Sequence, residues 1–454
     1  MSPIHGRDMK TIQDVRPIDR VVDLTDPAGN VIYGMTLEEA RARLRQGTAE
    51  DVRGIDGHFA LITVNGTTVR LARSLGRPLR YFIAKQEDGP LLIAAERIDT
   101  IRGYLEQHAL AEQFHPSYTR MVPAHYVTEI ALVGCPDPNP TYRRFFTPER
   151  NRLPADTGVI GRAYVQAAYD EIVKWLTNRA TEGPVGVCFS GGIDSGSVFL
   201  LTYHAFLKLG LNPSRLKAFT LSVDGLGADR AQAGTFLERT GLSLFLEPVE
   251  VETGEIDWHD AVRVVEDYKP LDIEAAAMTL ALCRGIRRRY PDWRYLIDGD
   301  GGDENLKDYP IEENPELTIR SVLNNSLLYQ EGWGVDAIKH SLTYTGGLSR
   351  SYTRTYAPAR ATGFDGFSPY TLPNVVDIAE GIPFVALTDW SHDKLYKLKG
   401  EIVALGVEAV TGMSMPVFPK RRFQHGAGDG RALARCFPAE PFAYRRAFQA
   451  LYGS

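Results

Sequence analysis

The sequence predicts an α/β protein whose larger, later part carries a parallel, doubly wound sheet. Three observations predict it. Short apolar runs alternate with stretches of helical period between Val185 and Ile297. A Gly-Gly turn rich in hydroxyls, Ser190-Gly191-Gly192-Ile193-Asp194-Ser195, joins one such run to the next helical stretch. A second loop, Asp298-Gly299-Asp300-Gly301-Gly302-Asp303-Glu304, follows another run and places four acids among three glycines.

Taken in order, the part to about Arg150 reads as strands and turns with one helix. Val31 to Tyr33 and His58 to Val64 have strand character, and Asn65-Gly66 turns the chain into Thr68 to Ala72. Leu79 to Ile83 and Leu91 to Ala95 continue the pattern across Asp88-Gly89-Pro90, and Pro136 to Pro140 reads as an interdomain connector. Apolar residues from Ile160 to Leu176 recur at helical spacing. Strands are expected at Val185 to Phe189, Lys217 to Val223, Leu244 to Val251 and Arg294 to Ile297. Helices are expected at Ser197 to Leu209, Asp229 to Thr240 (stopped by Gly241) and Asp272 to Arg289. Beyond Pro315 the pattern is mostly helical. The division expected is 1–150 and 151–454.

With 454 residues, 44% of them hydrophobic and 24% charged, the chain has ample core for about two to three domains. A formal net charge of −6 argues against nucleic acid as a partner, despite the local bases at Arg284 to Arg289 and Lys420 to Arg422. No apolar run is long enough to span a bilayer, and the first residues carry no hydrophobic signal region, so a cytoplasmic protein is expected. The four cysteines, Cys135, Cys188, Cys283 and Cys436, lack metal or redox spacing and read as buried small hydrophobes.

The Ser190–Ser195 loop supplies an anion cradle. Its backbone N–H groups and the following helix N-terminus favour phosphate, and its glycines allow close approach. It lacks the Gly-Lys-Ser/Thr ending of the kinase-type loop, and Asp194 would repel a polyphosphate unless a divalent cation sits between them. That combination suits a Mg²⁺-bridged pyrophosphate grip on ATP. The acidic loop at 298–304 is either a solvated turn or a second cation-binding loop. In the second case Asp194 and Asp303 share Mg²⁺ with the nucleotide. A third element, Pro419-Lys420-Arg421-Arg422-Phe423-Gln424-His425-Gly426-Ala427-Gly428, joins three cations to a Gly-Ala-Gly loop and suits stabilisation of developing phosphate charge. His425 reads as structural.

These residues resemble the asparagine synthetase B family, which includes the β-lactam synthetases. Ser190–Ser195 is similar to its pyrophosphatase loop, and Ile297–Glu304 to its acidic loop, with Tyr309 near the motif's end. Gly366-Phe-Ser-Pro369 with Ile382-Pro383 resembles a further family segment, and Gly57–Ala60 with Leu71–Leu79 resembles its glutaminase domain. The resemblance implies an N-terminal Ntn-hydrolase-like α+β domain and a C-terminal ATP-pyrophosphatase (PP-loop) synthetase domain. It implies a carboxylate attacking the α-phosphorus of ATP, then an amine displacing AMP. Carried over by position, Asp194 and Asp303 hold Mg²⁺. Ser190, Gly191, Gly192 and Ser195 cradle pyrophosphate, and Asp298 and Gly299 lie near the adenosine. Lys420 stabilises the transition state, and Asp300 orients or deprotonates the amine.

Some positions depart from the family. The glutaminases need cysteine directly after the initiator methionine, but Ser2 stands here, and Arg73-Ser74 replaces the usual Arg-Asp. No Asn-Gly-Glu-type glutamine segment is present. The first domain is therefore expected to be silent as a glutaminase and kept for scaffold or homodimer contacts. The expected partners are a small-molecule or peptide carboxylate and an amine, on the same molecule or a second one. Free ammonia is the alternative nucleophile, and Asp300, an acid where β-lactam synthetases have tyrosine, leans toward it. Tyr329, Glu331, Trp333, Tyr344, Arg350 and Tyr352 either face that substrate or pack helices.

Overall fold

A computed structural model describes residues 20–85, 90–131, 139–309, 311, 317–327, 330–331, 347–418, 427–428 and 433–452. The chain divides into two compact units, Met1–Phe145 and Phe146–Ser454.

In the first unit, one four-stranded sheet runs Val21–Asp23, Leu91–Ala95, Arg80–Ala84, Arg120–Met121, and a second runs Thr141–Arg144, Tyr126–Ala131, Thr68–Arg73, Ala60–Asn65. Ala60, Ile62, Val69 and Leu71 of the second sheet share one core with Tyr81, Leu92 and Ala94 of the first, so the sheets pack face to face. Ile101 and Leu105 of the helix Ile98–Gln107 cover the other side of the first sheet. The expected hairpin forms, with Asn65 opposite Thr68 and Gly66 at φ +58°. Two expectations need correction. Among the described residues three α-helices occur, Leu37–Gln46, Ala49–Arg53 and Ile98–Gln107, not one. The first two are short and polar, held by Thr36 and Thr48 capping boxes rather than by an apolar stripe. The strand expected over His58 to Val64 is also split at Phe59, leaving Asp56–His58 to pair with Val31–Tyr33. Most of the Pro136–Pro140 connector lies outside the described residues.

The second unit carries a five-stranded, wholly parallel sheet in the order Leu246–Val251, Leu216–Val223, Val185–Cys188, Tyr295–Ile297, Asp365–Phe367. Its inner strands are nearly continuous apolar runs because helices cover both faces. Val185 pairs with Leu216 on one side and Tyr295 on the other. The chain thus builds outward from Val185–Cys188 in one direction, then returns to build in the other. That reversal opens a crevice at the C-terminal ends of the strands, where ligands bind in such sheets. The helix Thr157–Asn178 anchors the far edge: Trp175 stacks on Phe367 with ring centroids 4.8 Å apart and meets Tyr295 edge-on.

The Asp365–Phe367 edge strand was not expected, being three residues long and lacking an apolar run. Leu244 belongs to the short 3₁₀ turn Ser243–Phe245, and the strand begins at Leu246. The long helix begins at Pro270 rather than Asp272, since proline suits a first helical position. No helix among the described residues is long and apolar enough to cross a membrane. Cys283 is buried as expected, whereas Cys188 and Cys436 are only partly so, and Cys135 lies outside the described residues.

Candidate active site

The Ser190–Ser195 loop follows the central strand Val185–Cys188 and opens the helix Ile193–Lys208. Gly191 takes φ +71°, and a Cβ there would press on the backbone of Gln232 and Ala233 at about 3.0 Å, so glycine is required. Ser195 Oγ accepts from Ser190 N (3.2 Å) and bonds Ser190 Oγ (3.1 Å), which closes the turn. Gly192 stands at the helix N-cap, so the first helical N–H groups and Asp194 face the crevice.

The acidic loop enters the same crevice from the neighbouring strand Tyr295–Ile297 and ends in the helix Gly302–Asn305. The two loops meet through glycine. A Cβ on Gly299 would lie 2.7 Å from the Asp194 carbonyl carbon and 2.8 Å from Ser195 N. A Cβ on Gly302 would lie 2.5 Å from Asp194 Cγ. Asp194 therefore occupies space that any larger residue in the acidic loop would claim.

Asp194 and Asp303 converge on one atom. Lys399 Nζ donates to Asp194 Oδ2 at 2.6 Å and to Asp303 Oδ1, with Asp308 Oδ2 3.5 Å away. Lys399 comes from the helix His392–Thr411 and its side chain is only 2% exposed. Burial alone would depress its ammonium, but the charges of Asp194, Asp303 and Asp308 outweigh that and hold its pKa well above the ordinary lysine value. Sequence reasoning missed Lys399. The signal was there: it sits among Leu395, Leu398, Ile402 and Val403, where helical spacing calls for an apolar residue.

Asp298 is buried behind the loop. Its Oδ1 accepts from Asp300 N (2.9 Å) and Ser368 Oγ (2.6 Å). Burial lifts its carboxyl above the usual range, and burial together with the Asp298 charge lifts Asp300 further. Asp300, Asp194, Asp303 and Glu304 line one wall of a small cavity of ≈ 40 Å³, with Gly299 and Gly301. Arg350, Ser351 and Arg354 line the other. A π-helical turn, Tyr352–Tyr356, aims Arg354, whose Nε donates to the buried Asp272 at 2.9 Å. Burial would raise Asp272, but Lys269, Arg354 and Arg350 hold it far below the usual carboxylate range.

Lys420, Arg421, Arg422 and His425 lie outside the described residues, as do Tyr329, Trp333 and Tyr344. Of the other substrate candidates, Arg350 lines the cavity, and Glu331 and Tyr352 are buried. A larger groove of ≈ 600 Å³ lies along the outer strand Leu246–Val251, but its Arg230, Arg288 and Arg289 are each paired with a glutamate.

Two hard carboxylates around a buried cation fit a Mg²⁺ shared with phosphate better than a metal held by protein alone. No group of three or more metal-ligating side chains occurs among the described residues.

Residues 171–359 match the family model described as Asparagine synthase. The match takes in both the Ser190–Ser195 loop and the acidic loop and stops before Lys399 and Lys420. It supports the asparagine synthetase family, which is a family of ATP-dependent ligases. No curated protein matches the chain.

Proposed function

We propose that the protein is an AMP-forming amide-bond synthetase. In this reading it adenylates a substrate carboxylate with ATP and couples it to an amine, on the same molecule or a second one, without glutamine hydrolysis. One observation carries the reading: Asp194 and Asp303, 109 positions apart in the chain, meet at Lys399 Nζ beside a strand-to-helix anion cradle.

In that role Asp194 and Asp303 hold Mg²⁺, which would supply charge neutralisation to the polyphosphate so that pyrophosphate can leave. Ser190, Gly191, Gly192 and Ser195 orient the leaving phosphates through N–H and hydroxyl groups. Lys399, charged and buried, ties the two carboxylates together and offsets part of their mutual repulsion. Asp298 and Gly299 border the nucleotide. Lys420 is assigned the charge that develops as the acyl-adenylate forms and breaks down.

The amine requires a base. Asp300 has a raised carboxyl pKa and therefore takes a proton from an ammonium more readily than an ordinary aspartate. Across the cavity, Arg350 is paired with Asp272 and Glu304 and Arg354 with Asp272, which fixes that wall of the pocket. Asp300 would serve free ammonia equally well, which keeps an ammonia-using, asparagine synthetase-like enzyme as the second reading.

Glutamine independence rests on Ser74, which stands where the resembling glutaminases have aspartate. The Ser74 hydroxyl is taken up by the backbone of Phe59, at 2.9 Å from its N–H. The test is carboxylate-dependent ATP–pyrophosphate exchange over a metabolite panel, with and without amines, beside a glutaminase assay. Exchange driven by one carboxylate without glutamate release supports the reading. Glutamate release from glutamine overturns its glutamine-independent half.

A further inference from the structure

Asp194 and Asp303 sit on different elements, so something must fix the distance between them before any cation arrives. Lys399 draws the carboxylates together at their tips. Their backbones are tied by one residue. Tyr370, in the short turn Pro369–Thr371 after the edge strand, is fully buried and uses both ends of its polar complement. Its carbonyl accepts from Asn305 Nδ2 at 2.9 Å, and Asn305 lies two residues after Asp303 in the same helix. Its hydroxyl lies 2.6 Å from Ser197 Oγ, and Ser197 lies three residues after Asp194.

The proton count gives this link a direction. Ser197 Oγ donates to the Asp194 carbonyl at 2.8 Å, so its own hydrogen is spent there. The Tyr370 hydroxyl must therefore donate to Ser197, making a chain from Tyr370 through Ser197 to the Asp194 backbone. The ring cannot drift. It lies flat on Tyr164, with centroids 5.4 Å apart and planes 4° apart, and Tyr164 OH accepts from the same Asn305 side chain at 3.1 Å. Gln330 completes the set, donating to Asn305 Oδ1 at 2.6 Å and to Gly301 O at 3.3 Å.

We propose that Tyr370 is a positioning residue that sets the spacing of the Asp194 and Asp303 turns and so tunes the affinity for Mg–ATP. The inference rests on the reading of these two acids as the Mg–ATP site. It concerns geometry, since Tyr370 touches neither phosphate nor metal in this account.

Tyr370→Phe tests it in the full-length chain, because the ring stack and the carbonyl bond survive and only the hydroxyl is lost. Calorimetric titration with Mg–ATP should show affinity weakened about five- to ten-fold, the span of one lost hydrogen bond. Titration with ATP in EDTA should differ little from the parent, and the melting temperature should fall by only a few degrees. In pyrophosphate exchange, KM for Mg–ATP should rise by more than kcat falls. Ser197→Ala removes the same link from the other end. The double variant should be no weaker than the poorer single one, since both break one chain. Unchanged Mg–ATP affinity in both variants would overturn the proposal, and so would an equal loss with and without Mg²⁺. A parent protein that binds no Mg–ATP would instead remove the reading of the site itself.

Discussion

Lys399 Nζ lies 2.6 Å from Asp194 Oδ2, and the lysine that makes this contact is almost completely buried. A buried ammonium is tolerable only with its carboxylates in place, and three acids clustered around it are tolerable only with the ammonium. Lys399→Met keeps the volume and removes the charge. The variant should lose about 3 kcal/mol of stability in denaturant titration. Added Mg²⁺ should restore more stability to the variant than it adds to the parent, because the cation takes over the vacated charge. A variant as stable as the parent would show that the cluster is not coupled in this way.

Gly302→Ala is expected to damage nucleotide handling with little loss of fold. The new Cβ would fall 2.5 Å from Asp194 Cγ, so the carboxylate must swing away from Asp303. KM for Mg–ATP should rise at least ten-fold, on the order of the 1.4 kcal/mol a displaced charged ligand loses. Gly103→Ala is the contrast. Gly103 sits inside the helix Ile98–Gln107 with nothing within 4 Å of where a Cβ would stand, so alanine there should add about 1 kcal/mol of stability.

Asp298 makes the site's stability depend on pH. Its folded pKa lies above its unfolded value, so the native state holds the proton more tightly. The benefit is complete below the ordinary aspartate pKa of about 4 and is lost as pH rises through the elevated folded value. Asp298→Asn keeps an oxygen for Asp300 N and Ser368 Oγ but never ionises. Its stability relative to the parent should climb with pH across that window and then level off. Urea unfolding from pH 4 to 8 reads this directly, and a flat difference would contradict it.

Asp272 behaves with the opposite sign. Lys269, Arg354 and Arg350 depress its carboxyl, so its contribution is full above about pH 4 and disappears as pH falls through its folded value. Arg354→Gln removes the nearest guanidinium and should destabilise the protein by about 2–4 kcal/mol at pH 7. The gap should shrink as pH falls below 4 towards the depressed folded value, where native Asp272 takes up its proton. A gap independent of pH would assign the loss to packing rather than charge.

The parallel sheet was legible because its inner strands are apolar runs bounded by glycine-rich loops. Val185–Cys188 and the Ser190–Ser195 turn are local features that spacing reveals. Asp365–Phe367 escaped because a three-residue edge strand has no periodicity to read, and the polar first-unit helices escaped because caps rather than stripes define them. Within the site, Asp194, Asp298, Asp300 and Asp303 stood out as acids among glycines. Lys399 did not, since its partners lie 205 and 96 positions away. Tyr370 looked like any core aromatic, because nothing in sequence shows that its hydroxyl reaches Ser197.

The most direct test is the fate of the nucleotide. Phosphorus-31 spectra of a complete reaction with Mg–ATP, carboxylate and amine should show AMP and pyrophosphate accumulating in equal amounts. Asp194→Asn and Asp303→Asn should each stop both. Accumulation of ADP and inorganic phosphate in their place would contradict the account at its centre.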